Sequence, residues 1–111
     1  MNQQSDKLQL RVTRAMVRLG IPMGTAGWDY LREVILLRCG ETLPEGELYA
    51  RTAEKCGVSI PAVRNGCRNA VRRTYESGRA GMPDGFFSDG APLSCGDFIA
   101  RFAELIARGE L

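Results

Sequence analysis

A stripe of arginine and asparagine side chains marks one segment of this sequence. When residues 60–77 are wound into a helix, arginines stand four positions apart on one face and asparagines flank them. The members of this arginine–asparagine stripe are Arg64, Asn65, Arg68, Asn69 and Arg72. A guanidinium group pairs in a bidentate manner with guanine or phosphate, and an asparagine amide pairs with adenine. The stripe therefore indicates a surface that binds nucleic acid at its base edges.

The other side of the same segment has a mostly apolar pattern. Its residues follow helical spacing and predict a buried face: Val63, Cys67, Ala70, Val71, Thr74 and Tyr75. Residues 58–79 carry five basic groups and one acidic group, Glu76, so little in the segment offsets the arginines. A face that is merely solvated usually contains more glutamate. We therefore interpret the segment as an amphipathic helix with a ligand-binding outer face.

The composition argues against enzymatic chemistry. The chain contains no histidine, which removes Ser-His-Asp triads and most transition-metal sites. The cysteines form no C-x-x-C pair and suit reduced thiols rather than zinc ligands: Cys39, Cys56, Cys67 and Cys95. An acidic cluster at residues 41–47 lies beside a predicted helix start, where acids favour the helix dipole. We predict no catalytic residue, no metal and no cofactor.

Length and polarity set the class of protein. The 111 residues suit a single domain, 1–111, with one hydrophobic core. No apolar run approaches the roughly 18 residues that a membrane span needs. The opening "MNQQSDK" is polar and lacks the apolar stretch of a signal peptide. We therefore expect a cytoplasmic protein with no membrane partner.

The spacing of apolar residues predicts an all-α domain of five to six helices. The expected helices span residues 6–19, 28–39, 45–56, 60–77 and 95–109. Residues 78–93 are rich in glycine and proline and predict a loop, with room for one helical turn at 83–87. Phe86 and Phe87 in that loop either anchor it on the core or are presented to a partner.

The third and fourth predicted helices meet through a turn of three residues, Gly57-Val58-Ser59. Two helices joined by such a glycine-containing turn are typical of the helix-turn-helix, here about residues 45–77. Ala53 and Val63 match the positions where the two helices of that motif pack. A purely structural helical hairpin is the alternative, and the arginine–asparagine stripe favours DNA binding.

Three motifs carry a resemblance to a known family. The first is "GIP" at residues 20–22, followed after four residues by "GWDYLREVI" at residues 27–35. The second surrounds the turn and comprises Leu48, Tyr49, Ala53, Lys55 and Ser59, and the third is "FIA" at residues 98–100. Over residues 8–107 the chain resembles the C-terminal DNA-binding effector domain of the stage zero sporulation response regulator.

The resemblance implies a six-helix, all-α fold that binds double-stranded DNA as a tandem homodimer. It implies transcription regulation in sporulation, by activation or repression, through contact with the sigma subunit of RNA polymerase. In the family the loop before the last helix takes part in that contact. Here this loop is residues 79–93, which makes Phe86 and Phe87 the candidate polymerase contacts.

The chain departs from the family in two respects. A phosphoacceptor receiver domain is absent, so the sequence is either an excised domain or a stand-alone relative, and its natural-looking start favours the latter. The family tends to place Arg, Glu, Arg, Arg and His where this chain has Ala62, Arg64, Asn65, Arg68 and Asn69, and only Arg68 is retained.

Gly66 also differs from the family, which typically has alanine there. Glycine in a helix interior costs about 1 kcal/mol relative to alanine. Close packing of the fourth helix against the third is one explanation for tolerating that cost.

The sequence thus predicts a DNA-binding transcription regulator that is not an enzyme. We expect bases in the major groove to be read by four residues of the fourth helix: Arg64, Asn65, Arg68 and Asn69. We expect phosphates to be held by Ser59, Arg72 and Arg73, with Arg11, Arg14 and Arg18 of the first helix as weaker candidates. The alternative is a receiver-less protein-interaction module that binds a related regulator or the sigma subunit without reading operators.

Overall fold

The computed structural model describes residues 3–76 and 94–111 of the chain. These residues form five helices and contain no strand: α1 (Gln3–Arg18), α2 (Ala26–Gly40), α3 (Glu45–Cys56), α4 (Ile60–Glu76) and α5 (Cys95–Ala107). The prediction of an all-α fold is confirmed. The helical turn predicted at 83–87, with Phe86 and Phe87, lies outside the described residues. Over the described ranges, no helix is long and apolar enough to cross a membrane.

Local capping signals fix most of the helix ends. Ser59 accepts a hydrogen bond from the Ala62 backbone N–H at 3.2 Å and so caps the start of α4. Gly57 ends α3 in the left-handed conformation, with φ 69°, which glycine adopts without steric cost. Ser94 accepts from the Asp97 N–H at 3.2 Å at the start of α5.

Two predicted helix starts were wrong by two or three residues. The second helix was expected from residue 28 but begins at Ala26, because the Thr25 side chain accepts from the Trp28 N–H at 3.3 Å and caps the helix there. The first helix was expected from residue 6 but begins at Gln3. The polar residues before Leu8 carry no apolar spacing, so periodicity alone could not extend that helix.

The core forms around α2, which packs against each of the other four helices. Its residues Leu31, Val34 and Ile35 are completely buried. The inner face predicted for α4 is buried as well, with Val63 and Cys67 at 0% exposure. The core thus fixes α4 by one face and leaves its other face outside.

A glycine contact sets how closely α2 and α4 approach. A Cβ atom built on Gly27 would lie 2.5 Å from the Gly66 carbonyl oxygen, and one built on Gly66 would lie 2.8 Å from Cδ2 of Tyr30. Real Cβ atoms do not tolerate such distances, so both positions require glycine. Close packing therefore accounts for Gly66, but the helix it meets is α2 and not α3 as predicted. The sequence shows a small residue without showing which helix faces it.

Candidate nucleic-acid interface

The arginine–asparagine stripe lies on the outer face of α4. Asn65, Arg68, Asn69 and Arg72 are exposed, while Arg64 is half-buried. Residues between them on the same helix, including Cys67 and Val71, belong to the core. The structure therefore brings together the four predicted base-reading residues on one accessible helix face.

The cations of this face have few acidic partners. Among the described residues, Arg64, Arg68 and Arg73 take part in no ion pair, and Arg72 lies 3.9 Å from Glu76. Both members of that pair are well exposed, so their attraction is weak. The positive charge of the outer face of α4 is thus available to a polyanion.

The neighbouring helix α3 shows the opposite arrangement. Arg51 binds Glu41 at 2.9 Å and Glu47 at 3.1 Å, and Lys55 binds Glu33 at 2.7 Å. The hydrogen bond that Arg51 donates to Glu47 and the nearby charge of Glu41 raise the pKa of Arg51. Basic residues on α3 are therefore neutralised within the protein, while those on α4 are not.

The two helices meet as the turn signals predicted. Residues 57–59 separate α3 from α4, and the Val58 N–H donates to the Ala53 carbonyl at 3.0 Å. Ala53 is 3% exposed and Val63 is 0% exposed, so both are buried in the core. Because Ser59 uses its oxygen to accept from Ala62, its hydroxyl hydrogen remains available for a phosphate oxygen.

The two predicted phosphate ligands Arg72 and Arg73 border a cavity of about 340 Å³. Asn69 lines the same cavity, and its opposite wall is the first turn of α2 with the cap residue Thr25. The first N–H groups of a helix lack helical partners and carry a partial positive charge. Two arginines and the amino end of a helix therefore border one cleft, an arrangement that favours an anion.

The first turn of α2 is the part of this surface that sequence reasoning missed. Threonine is a common residue at a helix start, but no local pattern in the sequence shows that Thr25 lies beside Arg72 and Arg73. Arg11 was a weaker phosphate candidate, and the structure gives it another role. Its guanidinium donates to the Ile106 carbonyl near the end of α5, which also accepts from the Gly109 N–H at 3.1 Å.

The length of the exposed surface suits a DNA groove. From Arg64 to Arg73, α4 extends about 14 Å at 1.5 Å per residue, and the major groove is about 12 Å wide. The fold and the site together define an all-α domain with an arginine- and asparagine-bearing helix face. Comparison with family models finds no match for the chain, and comparison with solved structures finds none either.

Proposed function

We propose that this protein is a sequence-specific DNA-binding transcription regulator in which α3 and α4 act as a helix-turn-helix. The observation that carries the proposal is the outer face of α4. It presents asparagines beside arginines that have no ion-pair partner within the described residues, apart from the weak Arg72–Glu76 contact. The inner face of that helix is held in the core. A rigid helix that presents these side chains has the form of a major-groove reader.

The residues of this face divide into two roles. Arg64, Asn65, Arg68 and Asn69 read base edges, because their side chains provide the donors and acceptors that distinguish guanine and adenine. The phosphate contacts, which position the protein without reading sequence, come from Ser59, Arg72 and Arg73. The cleft between Arg72, Arg73 and the first turn of α2 strengthens the phosphate role of these two arginines.

The resemblance of residues 8–107 to the effector domain of the stage zero sporulation response regulator supports the same proposal. On this basis the protein regulates sporulation genes in the cytoplasm, binds DNA as a homodimer and contacts the sigma subunit of RNA polymerase. The loop 79–93 with Phe86 and Phe87 would provide the polymerase contact.

A second candidate function is a protein-interaction module. It is favoured by exposed apolar side chains on α1, where Leu10 and Val17 stand two turns apart and are 50% and 49% exposed. It is also favoured by the recognition helix, in which only Arg68 matches the family at the compared positions. Such a module would bind a related regulator or the sigma subunit without reading operators.

Selection of bound duplexes from a random pool tests the proposal. A DNA reader enriches a defined motif, and Arg68→Ala loses enrichment at one or two positions of it. Arg51→Ala is the matched control, because Arg51 is an exposed arginine on α3 that is already paired with Glu41 and Glu47. This control should enrich the same motif as the parent protein.

Sedimentation separates the two candidate functions. With the selected duplex, a DNA reader that acts as a tandem homodimer gives a species of two chains per duplex. If no motif is enriched and no protein–duplex species sediments, the interaction module replaces the DNA-binding proposal.

A further inference from the structure

The outer side of α1 presents apolar side chains to solvent. Leu10 and Val17 are 50% and 49% exposed and stand seven residues apart, so they lie one above the other on the same side of the helix. The core side of α1 is a different one, where Val12 and Met16 are completely buried. Leu10 and Val17 therefore form an apolar ridge on a helix that is already anchored in the core.

Basic side chains flank this apolar ridge. By helical spacing, Lys7, Arg14 and Arg18 lie along one of its sides, and all three are exposed. None of the three takes part in an ion pair with another described residue. The whole of α1 carries four basic residues and one acidic residue, Asp6. The ridge is thus bordered by positive charge that the described part of the chain does not neutralise.

A groove of about 280 Å³ between α1 and α2 borders the ridge on its other side. It is lined by Asp6, Gln9, Leu10, Thr13 and Arg32. The Nε atom of Arg32 is buried and has no hydrogen-bond partner among the described residues, and Nη2 of the same side chain lies 3.8 Å from Glu33. A buried donor without a partner is costly, so the groove suits a ligand that supplies an acceptor.

We propose that the apolar ridge and its groove bind an acidic amphipathic helix of a partner protein. In this complex the apolar stripe of the partner helix covers Leu10 and Val17. Its carboxylates pair with the three flanking cations on one side, and a carboxylate on the other side accepts from Arg32 Nε. This interface does not require α4 to bind DNA.

The spacing of the ridge favours a helix as the occupant. Seven residues of α1 rise about 10.5 Å, which is close to two turns. A partner helix that lies along α1 can therefore place apolar residues at i, i+3 or i+4, and i+7 against the ridge. Glutamates beside that stripe then reach the basic flank, as charged residues do beside the seam of a coiled coil.

The charge and polarity of this surface argue against two other kinds of occupant. A second copy of the chain would bring the cations of one α1 beside those of the other, with only Asp6 on each helix to offset them. A DNA duplex would pair with the cations but would leave Leu10 and Val17 beside a charged backbone. An acidic helix with an apolar stripe matches both the ridge and its flanks.

The direct test titrates the full chain into a fluorescein-labelled peptide of about 18 residues, long enough to populate a helix. The peptide has leucines at helical spacing on one face and glutamates beside them. Fluorescence anisotropy should rise to saturation. A peptide of the same composition with its leucines scattered, and one with lysine in place of glutamate, should each bind about tenfold more weakly or worse. The titration contains no DNA, so its outcome is separate from that of duplex selection.

Substitutions on the ridge and on its flank should weaken binding of the acidic peptide. Leu10→Asn should raise the Kd about tenfold, and Arg14→Ala about threefold because an exposed ion pair is weak. Ile60→Asn is the matched apolar control, since Ile60 is 40% exposed on α4. Arg51→Ala is the matched charge control, since Arg51 is exposed on α3 and already paired with two carboxylates. Both controls should bind the peptide as the parent protein does.

Nuclear magnetic resonance locates the contact without any substitution. When the acidic peptide is added, the backbone amide signals around Leu10 and Val17 should shift. The side-chain Nε–H signal of Arg32 should shift as well, because this atom gains an acceptor. These shifts decide the matter if circular dichroism shows that Leu10→Asn has lost helix content.

Four results would overturn the proposal. The first is that the acidic peptide does not bind, or binds no more tightly than its two control peptides. The second is that peptide-induced shifts are confined to α4. The third is that the protein alone sediments as a dimer that Leu10→Asn dissociates, which would make a second copy the occupant. The fourth is that Arg14→Ala leaves peptide binding unchanged but lowers the salt slope of duplex binding by about one unit, which would make this surface a phosphate contact.

Discussion

Arg68 shows how one residue connects the core of this protein with its outer surface. It is exposed on α4 and has no ion-pair partner among the described residues, while Cys67 beside it is completely buried. The backbone position of Arg68 is therefore set by a helix whose inner face is packed in the core. In the proposed function, this arginine reads a base edge, whereas phosphate contacts carry no sequence information.

The first prediction distinguishes base readers from phosphate ligands. Arg68→Ala should cost roughly 1–3 kcal/mol on the preferred duplex, the size of one bidentate base contact, and should relax preference at one base pair. Arg72→Ala or Arg73→Ala should weaken binding to all duplexes alike and lower the salt slope by about one unit. Titrations on selected and scrambled duplexes at several salt concentrations measure both effects.

The same titrations can contradict the assignment. If all of these variants lose little affinity on either duplex, the outer face of α4 is a solvated or protein-binding surface. Arg51→Ala controls for the general loss of positive charge, because its guanidinium is already bound to two carboxylates. Helix content should be unchanged throughout, since these side chains lie off the buried face.

A second prediction at this scale concerns Tyr49. Burial and hydrogen bonds to Cys95 and Glu45 raise the pKa of its phenol far above the ordinary value. The folded state therefore retains the phenolic proton more strongly than the unfolded state. The resulting stability is present below the unfolded pKa of about 10 and is lost as the pH rises above it.

The measurement is the phenolate absorbance of the parent protein minus that of Tyr49→Phe during alkaline titration. This difference should stay near zero until circular dichroism shows unfolding. A phenolate signal from Tyr49 in the folded protein near pH 10 would show that the phenol is not protected as described.

At the scale of elements, the contact between α2 and α4 determines where the outer face of α4 stands. Gly27 and Gly66 bring the two backbones together, and the cleft beside Arg72 and Arg73 lies at this crossing. A larger residue at either glycine would force the helices apart. Both the position of α4 and the shape of the cleft therefore depend on these two residues being glycines, which have no side chain.

The third prediction follows from these distances. Gly27→Ala places a methyl group against the Gly66 carbonyl and should destabilise the fold by roughly 1–3 kcal/mol, the usual cost of overpacking. Gly66→Ala should cost less, because the obstructing atom is in the Tyr30 ring, and Tyr30→Ala in the same chain should remove part of the penalty. Denaturant unfolding with a constant m-value provides the measurement.

Gly46 is the matched control, since it also lies in a helix but has nothing within 4 Å of a built Cβ. Gly46→Ala should therefore stabilise α3 by up to about 1 kcal/mol through helix propensity. Equal effects at Gly27 and Gly46 would show that α2 and α4 are not in the close contact described.

For the whole molecule, we expect the apolar core, rather than a metal ion or a disulfide, to be the main source of stability. The described residues contain no group of three or more metal-binding side chains, and all four cysteines are free thiols. The core joins side chains from all five helices, including Met16, Leu31, Tyr49, Val63 and Phe98. A core of this kind can hold the fold together without a bound ion.

The fourth prediction is that metal removal has no effect. Protein purified with a reductant should contain four alkylatable thiols and no stoichiometric metal, and a chelator should leave the melting temperature unchanged. Elemental analysis and thermal unfolding give the measurements. About one zinc per chain, or a large fall in the melting temperature with chelator, would contradict the prediction.

The sequence by itself determined the helices and the division of α4 into two faces. The ends of α3 and the start of α4 were predicted to the residue, because Gly57 and Ser59 act on backbone groups within about one turn of themselves. Val63 and Cys67 were predicted to be buried because apolar residues at helical spacing must share one side. Signals of this kind are local, so one sequence is enough to find them.

Only the tertiary structure decided which of these faces meet. It placed Gly66 against α2 rather than α3, and it set the first turn of α2 beside Arg72 and Arg73. Each of these contacts joins residues that lie far apart in the chain. Helical periodicity gives the direction of a side chain on its own helix but does not give the residue it meets in that direction. The partner depends on how all five helices pack at once, which no local pattern encodes.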